Sequence, residues 1–278
     1  MITVCIVVPD TGTMLEPVAA QKGEIGMKQM KRRIFAGAVC EQVVYCVPDG
    51  VRKPAEYDPE KIRKDRFESE EEYSKFKTEI SRRNHLRLFQ ANFSPTSVFS
   101  TLTFADEYEL HTFPEAKAVA RKLIRVLKYA YPDAVIFLYM GRGGSAGRIH
   151  YHMVSEGVPV EFIAAKWKYG AIKRFNNLRA HNFYEGVDHG QDYTALANYL
   201  FNHWTEEQGG HRWIMTRNAK KPEKEEPTEV RVPGGYSEKR PPIAQKGYKL
   251  VSTKVTKYGC SIFRYVAVPQ KKKPPKDD

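Results

Sequence analysis

Two β-forming segments joined by a glycine-rich stretch are the feature that most constrains the fold of this chain. Residues 134–140 are apolar, aromatic and β-branched, residues 141–147 include four glycines, and residues 148–154 return to a β-forming composition. Two such segments around a tight glycine-rich turn predict an antiparallel hairpin. The stretch lacks the Gly-Lys-Ser/Thr ending of a phosphate-binding loop and does not open a helix, so we interpret it only as a turn.

The second strand of this hairpin contains two histidines. His150 and His152 flank Tyr151, and side chains at positions i and i+2 of a strand point to the same face. Two neutral imidazoles side by side can bind a divalent metal ion, or a phosphate through such an ion. Two half-buried histidines with ordinary hydrogen bonds have the same spacing, so the pair alone leaves both interpretations open.

The composition is that of one substantial core with appended segments. A chain of 278 residues with 41% hydrophobic content can bury a core of about 150 to 200 residues. No apolar run is long enough to span a membrane, and residues 1–8 are too short and too poor in positive charge for a signal peptide, so we expect a cytoplasmic protein. The four cysteines form no metal-binding spacing, and we expect reduced, mostly buried thiols at Cys5, Cys40, Cys46 and Cys260.

The charge of the chain favours an anionic partner. The formal net charge is +12, and the 45 lysines and arginines are spread along the whole sequence. Such a field favours polyanions, and nucleic acid comes before a membrane because no segment has the pattern of a basic amphipathic anchor. A basic but merely solvated surface is the alternative.

Periodicity and turn residues divide the chain into short elements. We predict strands at residues 1–8, 43–47 and 98–104 and a closing hairpin within residues 247–268. Helices are predicted within residues 58–91 and at 112–130, 159–167 and 192–204. Residues 220–235 have the composition of a linker or a partly ordered arm, and residues 271–275 belong to a basic tail that we expect to be disordered. These elements suggest an N-terminal extension at 1–95, a central domain at 96–222 and a C-terminal segment at 223–278.

The helix predicted at 112–130 has an apolar stripe and a basic stripe. The apolar stripe consists of Val119, Leu123, Val126, Leu127 and Ala130. The basic stripe consists of Lys117, Arg121, Arg125 and Lys128. This basic row either meets a phosphate backbone or, as is more common for such rows, forms a solvated face.

Two tyrosines six residues apart have different positions on the helix predicted at 192–204. At about 100° per residue, Tyr193 falls on the apolar face, while Tyr199 lies about 120° from the centre of that face. Tyr193 is therefore predicted to be a core residue. Tyr199 is predicted to present its phenol at a polar edge, beside Asn202 and His203, which suits a nucleophile and also an ordinary packing residue.

The order of these segments resembles the three motifs of the HUH endonucleases, namely an upstream strand at 98–104, the paired histidines and a tyrosine on a later helix. More closely, it resembles the rolling-circle replication initiators of phages, plasmids and integrated mobile elements. The resemblance covers about residues 84–222 and includes Arg212-Trp213 and residues 217–222. It implies an α+β fold of the RRM-like palm type, with an antiparallel central sheet flanked by helices and with N-terminal and C-terminal extensions. In that fold the histidine strand is central, and the tyrosine helix lies across the open face of the sheet.

The resemblance also implies an activity. A divalent metal, Mn²⁺ or Mg²⁺, on His150 and His152 would polarise the scissile phosphate, and Tyr199 would attack phosphorus to give a 5′-phosphotyrosine and a free 3′-hydroxyl. The implied partners are single-stranded DNA at a replication origin and the host replication machinery, with no membrane.

This chain departs from those relatives at two places. Their acidic or amide third metal ligand falls here at Met140, with Gly141 next, and neither residue suits a hard ion; Glu156, Asp106 or additional water are the alternatives. The lysine that follows the nucleophile by three residues in many relatives is Asn202 here. The candidates for contacts to DNA are Lys168, Lys173, His203 and Arg148.

Two other functions remain open at this point. Met140 and Asn202 are also consistent with a noncatalytic DNA-binding protein whose site has decayed. The same chemistry also serves transposition and conjugative transfer, but the chain lacks a helicase motif and a second catalytic tyrosine, because Tyr193 is predicted to face the core.

Overall fold

The computed structural model describes residues 27–48, 67–143, 147–205, 208–209, 211–256 and 260–268. The protein is α+β, with antiparallel sheets flanked by helices, as predicted. The helices are α1 Glu70–Asn92, α2 Phe113–Ala130, α3 Val160–Lys166 and α4 Thr194–Phe201. The predictions for residues 1–8, Cys5 and residues 271–275 lie outside the described residues.

The longest strands form three hairpins. The strands are β1 Met27–Ala36, β2 Val39–Pro48, β3 Val98–Thr103, β4 Val135–Gly143, β5 Arg148–Glu156, β6 Ile172–Asn177, β7 Phe183–Tyr184, β8 Val187–Asp188, β9 Ile214–Met215, β10 Glu223–Lys224, β11 Thr228–Glu229, β12 Tyr248–Val255 and β13 Ser261–Ala267. The chain divides into two compact units, one of residues 85–182 and 191–222 and the other of residues 1–84, 183–190 and 223–278.

The unit of residues 85–182 and 191–222 contains a five-stranded antiparallel sheet in the order β6-β3-β5-β4-β9, with the histidine strand β5 in the centre. The predicted hairpin is confirmed: β4 and β5 pair along their whole length, from Val135 opposite Glu156 to Gly143 opposite Arg148. The alternation of side chains along these strands gives the sheet two faces with different side chains.

One face of the sheet, the α2 face, is covered by an apolar core. Tyr151 and Met153 of β5 pack there against Ala116 and Leu123 of α2. The buried hydroxyl of Tyr151 donates to the backbone carbonyl of Ala116, which satisfies a polar group whose burial alone would destabilise the fold. The tyrosine between the two histidines therefore ties the central strand to α2 and leaves both imidazoles on the other side.

The opposite face, the histidine face, carries His150 and His152. Tyr193, Ala197 and Leu200 from the α4 segment pack there on a core that includes Phe137 and Val154. Tyr193 is 2% exposed and Tyr199 is 47% exposed, so both predictions for the tyrosines are confirmed. Helix α4 is shorter than predicted at both ends, and Asp192 precedes it with its side chain accepting from the Thr194 backbone amide.

Helix α2 begins as its sequence predicts and buries part of the predicted apolar stripe. Thr112 is the N-cap, and its side chain forms a reciprocal capping box with Glu115. The buried residues are Phe113, Ala116, Ala120, Leu123 and Leu127. The predicted stripe is corrected at Val126 and Ala130, which are exposed, because the small residues Ala116 and Ala120 turn the contact surface of the helix toward the sheet.

The other unit is built from both ends of the described chain. Its sheet has the order β10-β1-β2-β13-β12, and β11 also pairs with β1. The predicted C-terminal hairpin is present as β12 and β13, and β13 pairs with β2. Residues 220–235, predicted as a linker or a partly ordered arm, contain strands β10 and β11, which pair with the edge of β1.

The limits of these units differ from the domain limits expected at 1–95, 96–222 and 223–278. The histidine-containing unit ends at Pro222 but begins at His85, within helix α1. The two extensions, expected as separate segments, share one sheet.

Among the described residues, no helix has both the length and the apolar character needed to cross a bilayer.

Candidate metal centre

Three histidine rings converge on the histidine face. His150 and His152 come from β5, and His203 comes from the turn that follows α4. The Nε2 atoms of His150 and His152 are 3.3 Å apart, and the Nε2 atoms of His152 and His203 are 2.8 Å apart. One ring nitrogen from each histidine lies within 4.8 Å of the others, and among the described residues these three form the group of side chains that could hold a metal ion.

The other ring nitrogen of each histidine has its own partner. Nδ1 of His150 lies 3.5 Å from the carbonyl oxygen of Arg148, and Nδ1 of His203 lies 3.3 Å from that of Tyr199. A carbonyl only accepts, so these contacts favour the tautomer with the proton on Nδ1 and the lone pair on Nε2. Outer partners of this kind orient metal-binding histidines in proteins.

His152 is the most enclosed of the three rings. It is 5% exposed, stacks on Phe99, and has Nδ1 3.0 Å from the hydroxyl of Thr101. Burial, helped by the neighbouring histidines and Arg174, lowers the pKa of His152 to about 3. Burial also lowers the pKa of both His150 and His203. All three imidazoles are therefore held neutral, which is the form that binds metal ions.

Glycines on β4 provide the space that these rings occupy. A Cβ atom at Gly141 would lie 2.8 Å from Cδ2 of His203, and one at Gly143 would lie 2.7 Å from Cε1 of His150. Real Cβ contacts are not this short, so larger residues at these positions would displace the rings. Met140 points to the α2 face, where it is buried in the apolar core.

The Tyr199 phenol stands at the edge of the same cluster. Its hydroxyl lies 3.1 Å from Nε2 of His152, and its ring packs against that of His203 with centroids 4.5 Å apart. Tyr199 as a whole residue is 47% exposed, so this side chain joins the cluster at the surface of the protein. A phenol beside a group of metal ligands is an arrangement suited to attack on a phosphodiester.

The two carboxylates predicted as third ligands are elsewhere. Glu156 ends β5 opposite Val135, where its carboxylate accepts hydrogen bonds from Thr96 and Ser97. Asp106 is exposed and paired with Arg148. The prediction of Glu156 or Asp106 is therefore corrected: the third ring nitrogen at the cluster belongs to His203.

The basic residues predicted to contact DNA are distributed unevenly. Arg148 is paired with Asp106 and Glu109. Lys168 is exposed after α3, and no described contact links it to the histidines. Lys173 lies close enough to His150 for its charge to contribute to the lowered pKa of that ring.

Two residues of this site were missed in the sequence. His203 was considered as a contact to DNA and not as a candidate metal ligand, although it follows Tyr199 by four residues, which is the spacing of neighbours on one helix face. Arg174 was not considered at all. It lies opposite Thr101 in the β3–β6 pair, on the histidine face, and no local pattern predicted this edge strand.

Comparison of the chain with protein-family models, with curated proteins and with solved structures finds no match.

Proposed function

We propose that this protein is a cytoplasmic, metal-dependent DNA nickase and strand transferase that uses Tyr199 as its nucleophile to initiate rolling-circle replication of a mobile element. The observation that carries the proposal is the position of the Tyr199 hydroxyl, 3.1 Å from Nε2 of His152 and beside a cluster of three neutral imidazoles. The resemblance of the motif order to HUH endonucleases supports the same chemistry.

The residues of the site fit a divalent ion. The ring nitrogens of His150 and His152 would hold it, and the contact of His150 Nδ1 with the Arg148 carbonyl already favours the ligating tautomer of that ring. When bound, the ion would polarise a nonbridging oxygen of the scissile phosphate and offset the negative charge of the transition state.

The chain itself contributes the nucleophile and its orientation. The phenolic oxygen of Tyr199 forms a bond to phosphorus as the bond from phosphorus to the 3′-oxygen breaks. The phenolic proton passes to water at the exposed edge of the site, and the departing 3′-oxygen takes a proton from water. The products are a 5′-phosphotyrosine, whose linkage can be rejoined later, and a 3′-hydroxyl able to prime a polymerase.

The substrate class follows from the surroundings of the phenol. Lys173 and Arg174 lie on the edge strand β6 next to the histidine face, and each is exposed. A positive edge near the exposed aromatic ring of Tyr199 suits an unpaired strand, whose phosphates and bases are both accessible. We therefore propose single-stranded origin DNA as the substrate and the host replication machinery as the user of the 3′-hydroxyl.

The test is formation of a covalent adduct. The full chain is incubated with a pool of single-stranded element DNA and Mn²⁺, and tyrosyl-linked oligonucleotide is detected by denaturing electrophoresis and mass spectrometry. We expect an adduct that maps to Tyr199, its loss to background in Tyr199→Phe, and nearly unchanged DNA binding, because the phenyl ring keeps the packing of the tyrosine.

Tyr129→Phe is the matched control, since Tyr129 is 91% exposed and lies on α2, which packs on the opposite face of the sheet. An undiminished adduct in Tyr199→Phe would contradict the role of Tyr199. Salt-sensitive DNA binding by the wild-type protein with no adduct under any divalent metal would instead favour a noncatalytic DNA-binding protein.

A further inference from the structure

The third ring of the cluster belongs to the same helix end as the proposed nucleophile. His203 follows Tyr199 by four residues, and its Nδ1 faces the Tyr199 carbonyl at 3.3 Å. Carbonyls in the last turn of a helix lack partners within the helix, so this contact both completes the end of α4 and aims Nε2 of His203 at His152.

Gly141 determines which element can supply that third ligand. It lies opposite His150 in the β4–β5 pair, so a side chain at this position would stand on the histidine face. The Cβ of any such side chain would lie 2.8 Å from the His203 ring. A ligand from β4 and an imidazole from the end of α4 therefore compete for one volume, and the glycine leaves it to His203.

We propose that the metal centre is formed by three imidazoles, with His203 as the third ligand, and that it takes a transition-metal ion such as Zn²⁺ or Mn²⁺ in preference to Mg²⁺. Imidazole nitrogen suits first-row transition metals, whereas Mg²⁺ requires oxygen ligands in near-ideal octahedral geometry. This inference rests on the proposed function for its role in catalysis, but metal binding itself requires no DNA.

A second consequence concerns the nucleophile. An ion shared by His152 of β5 and His203 of the α4 end links the central strand to the turn that follows Tyr199. Metal binding thus holds Tyr199 in place, and His203 acts as a positioning residue as well as a ligand.

The test is metal binding by the full chain without DNA. Metal-free protein is titrated with ZnCl₂, MnCl₂ or MgCl₂ in an isothermal calorimeter, and amide exchange of α4 is followed by mass spectrometry. We expect one Zn²⁺ per chain, weaker Mn²⁺ binding in accordance with the usual order of metal affinities, no detectable Mg²⁺ binding, and slower amide exchange in α4 when Zn²⁺ is bound.

The decisive variant is His203→Ala. We expect its Zn²⁺ affinity to fall by at least about 100-fold, since loss of an outer partner of a ligand alone costs about 10- to 100-fold. Its α4 exchange should no longer respond to the metal. His211→Ala is the matched control, because His211 is an exposed histidine of the same unit outside the cluster.

A double variant tests whether β4 can supply the third ligand in place of the end of α4. The double variant Gly141→Glu/His203→Ala removes the ring that a side chain at 141 would meet and places a carboxylate near the other two histidines. We expect the ratio of Mg²⁺ to Zn²⁺ affinity to rise relative to that of the wild type.

X-ray absorption of the Co²⁺-loaded wild-type protein counts the imidazole ligands directly and depends on no variant. Three imidazoles support the proposal, and two overturn it, as does unchanged Zn²⁺ affinity in folded His203→Ala. The same results distinguish this proposal from the proposed function. A three-imidazole centre without a Tyr199 adduct would contradict the nickase activity, whereas a Tyr199 adduct with a two-imidazole centre would contradict only the role of His203.

Discussion

His152 is the residue through which the candidate site is organised. Its Nε2 atom is within hydrogen-bonding distance of His203 and Tyr199, and its other face stacks on Phe99. A buried neutral ring with this many neighbours has one orientation. Thr101 completes that orientation, because its hydroxyl lies 3.0 Å from Nδ1 and can accept the Nδ1 proton in the ligating tautomer.

Replacing Thr101 with valine should therefore weaken metal binding while the fold is kept. Valine has nearly the shape of threonine but cannot accept the Nδ1 proton, so we expect Thr101→Val to lower Zn²⁺ affinity by about 10- to 100-fold in calorimetric titration. Thr103→Val is the control, since Thr103 is on the same strand but its hydroxyl donates to the Ala171 carbonyl. Wild-type affinity in Thr101→Val would show that this hydroxyl does not orient the ring.

At the scale of elements, the two faces of the sheet carry different side chains, with the core under α2 on one face and the three histidines on the other. Helix α2 covers one face with buried small and apolar residues and turns its basic stripe outward. The edge strand β6 adds Arg174 to the other face, opposite Thr101. The basic row of α2, noted in the sequence as a possible phosphate contact, is therefore on the side away from the histidines, and the arginine next to them comes from a strand.

This arrangement predicts different consequences for two exposed arginines. Arg174→Ala should weaken binding of a single-stranded oligonucleotide and reduce the slope of log affinity against log salt by about 0.7, which is the value for one lost phosphate contact. Arg121→Ala on α2 removes the same charge and should change neither quantity. Fluorescence anisotropy at several salt concentrations measures both, and equal effects of the two variants would mean that only net charge matters.

At the scale of the whole molecule, local sequence predicts more of the unit that contains the histidines than of the other unit. The hairpin of β4 and β5, its histidines and the exposed edge position of Tyr199 follow from local patterns, because turn residues and side-chain periodicity act over a few neighbours. The sheet of the other unit joins β2 to β13, which is more than 200 residues away in the chain, and β1 was not predicted at all. Pairing over such distances depends on packing that no short segment encodes.

The buried thiol of Cys40 provides a test of that second sheet. Cys40 lies on β2 opposite Tyr265 of β13, is reduced and buried as predicted, and burial raises its pKa to about 12. An unfolded thiol ionises near pH 8.5. Between about pH 9 and pH 12 the unfolded state therefore releases a proton that the native state keeps, so the stability contributed by the native thiol is lost as the pH rises through this range.

At pH 9 we expect iodoacetamide to leave Cys40 unmodified in the native protein and to modify it in urea, as measured by peptide mapping. Half-buried Cys46, on the same strand, is the internal comparison and should react faster than Cys40 in the native protein. Equal rates for Cys40 with and without urea would contradict the burial of β2 between its neighbours.

The residues of the candidate site also differ in whether local sequence predicts their positions. His150, His152 and Tyr199 were predicted from the sequence, since the alternation of a strand and the rotation of a helix are local geometry. The position of the His203 ring beside His152 was not, because it depends on where the end of α4 meets β5, about fifty residues earlier in the chain, and on the space that Gly141 leaves there. Local sequence was thus sufficient for the strand with its histidine pair and for the nucleophile candidate. Long-range packing alone determined which third ring lies beside the pair, because side chains from distant segments are brought together by tertiary contacts and not by spacing along the chain.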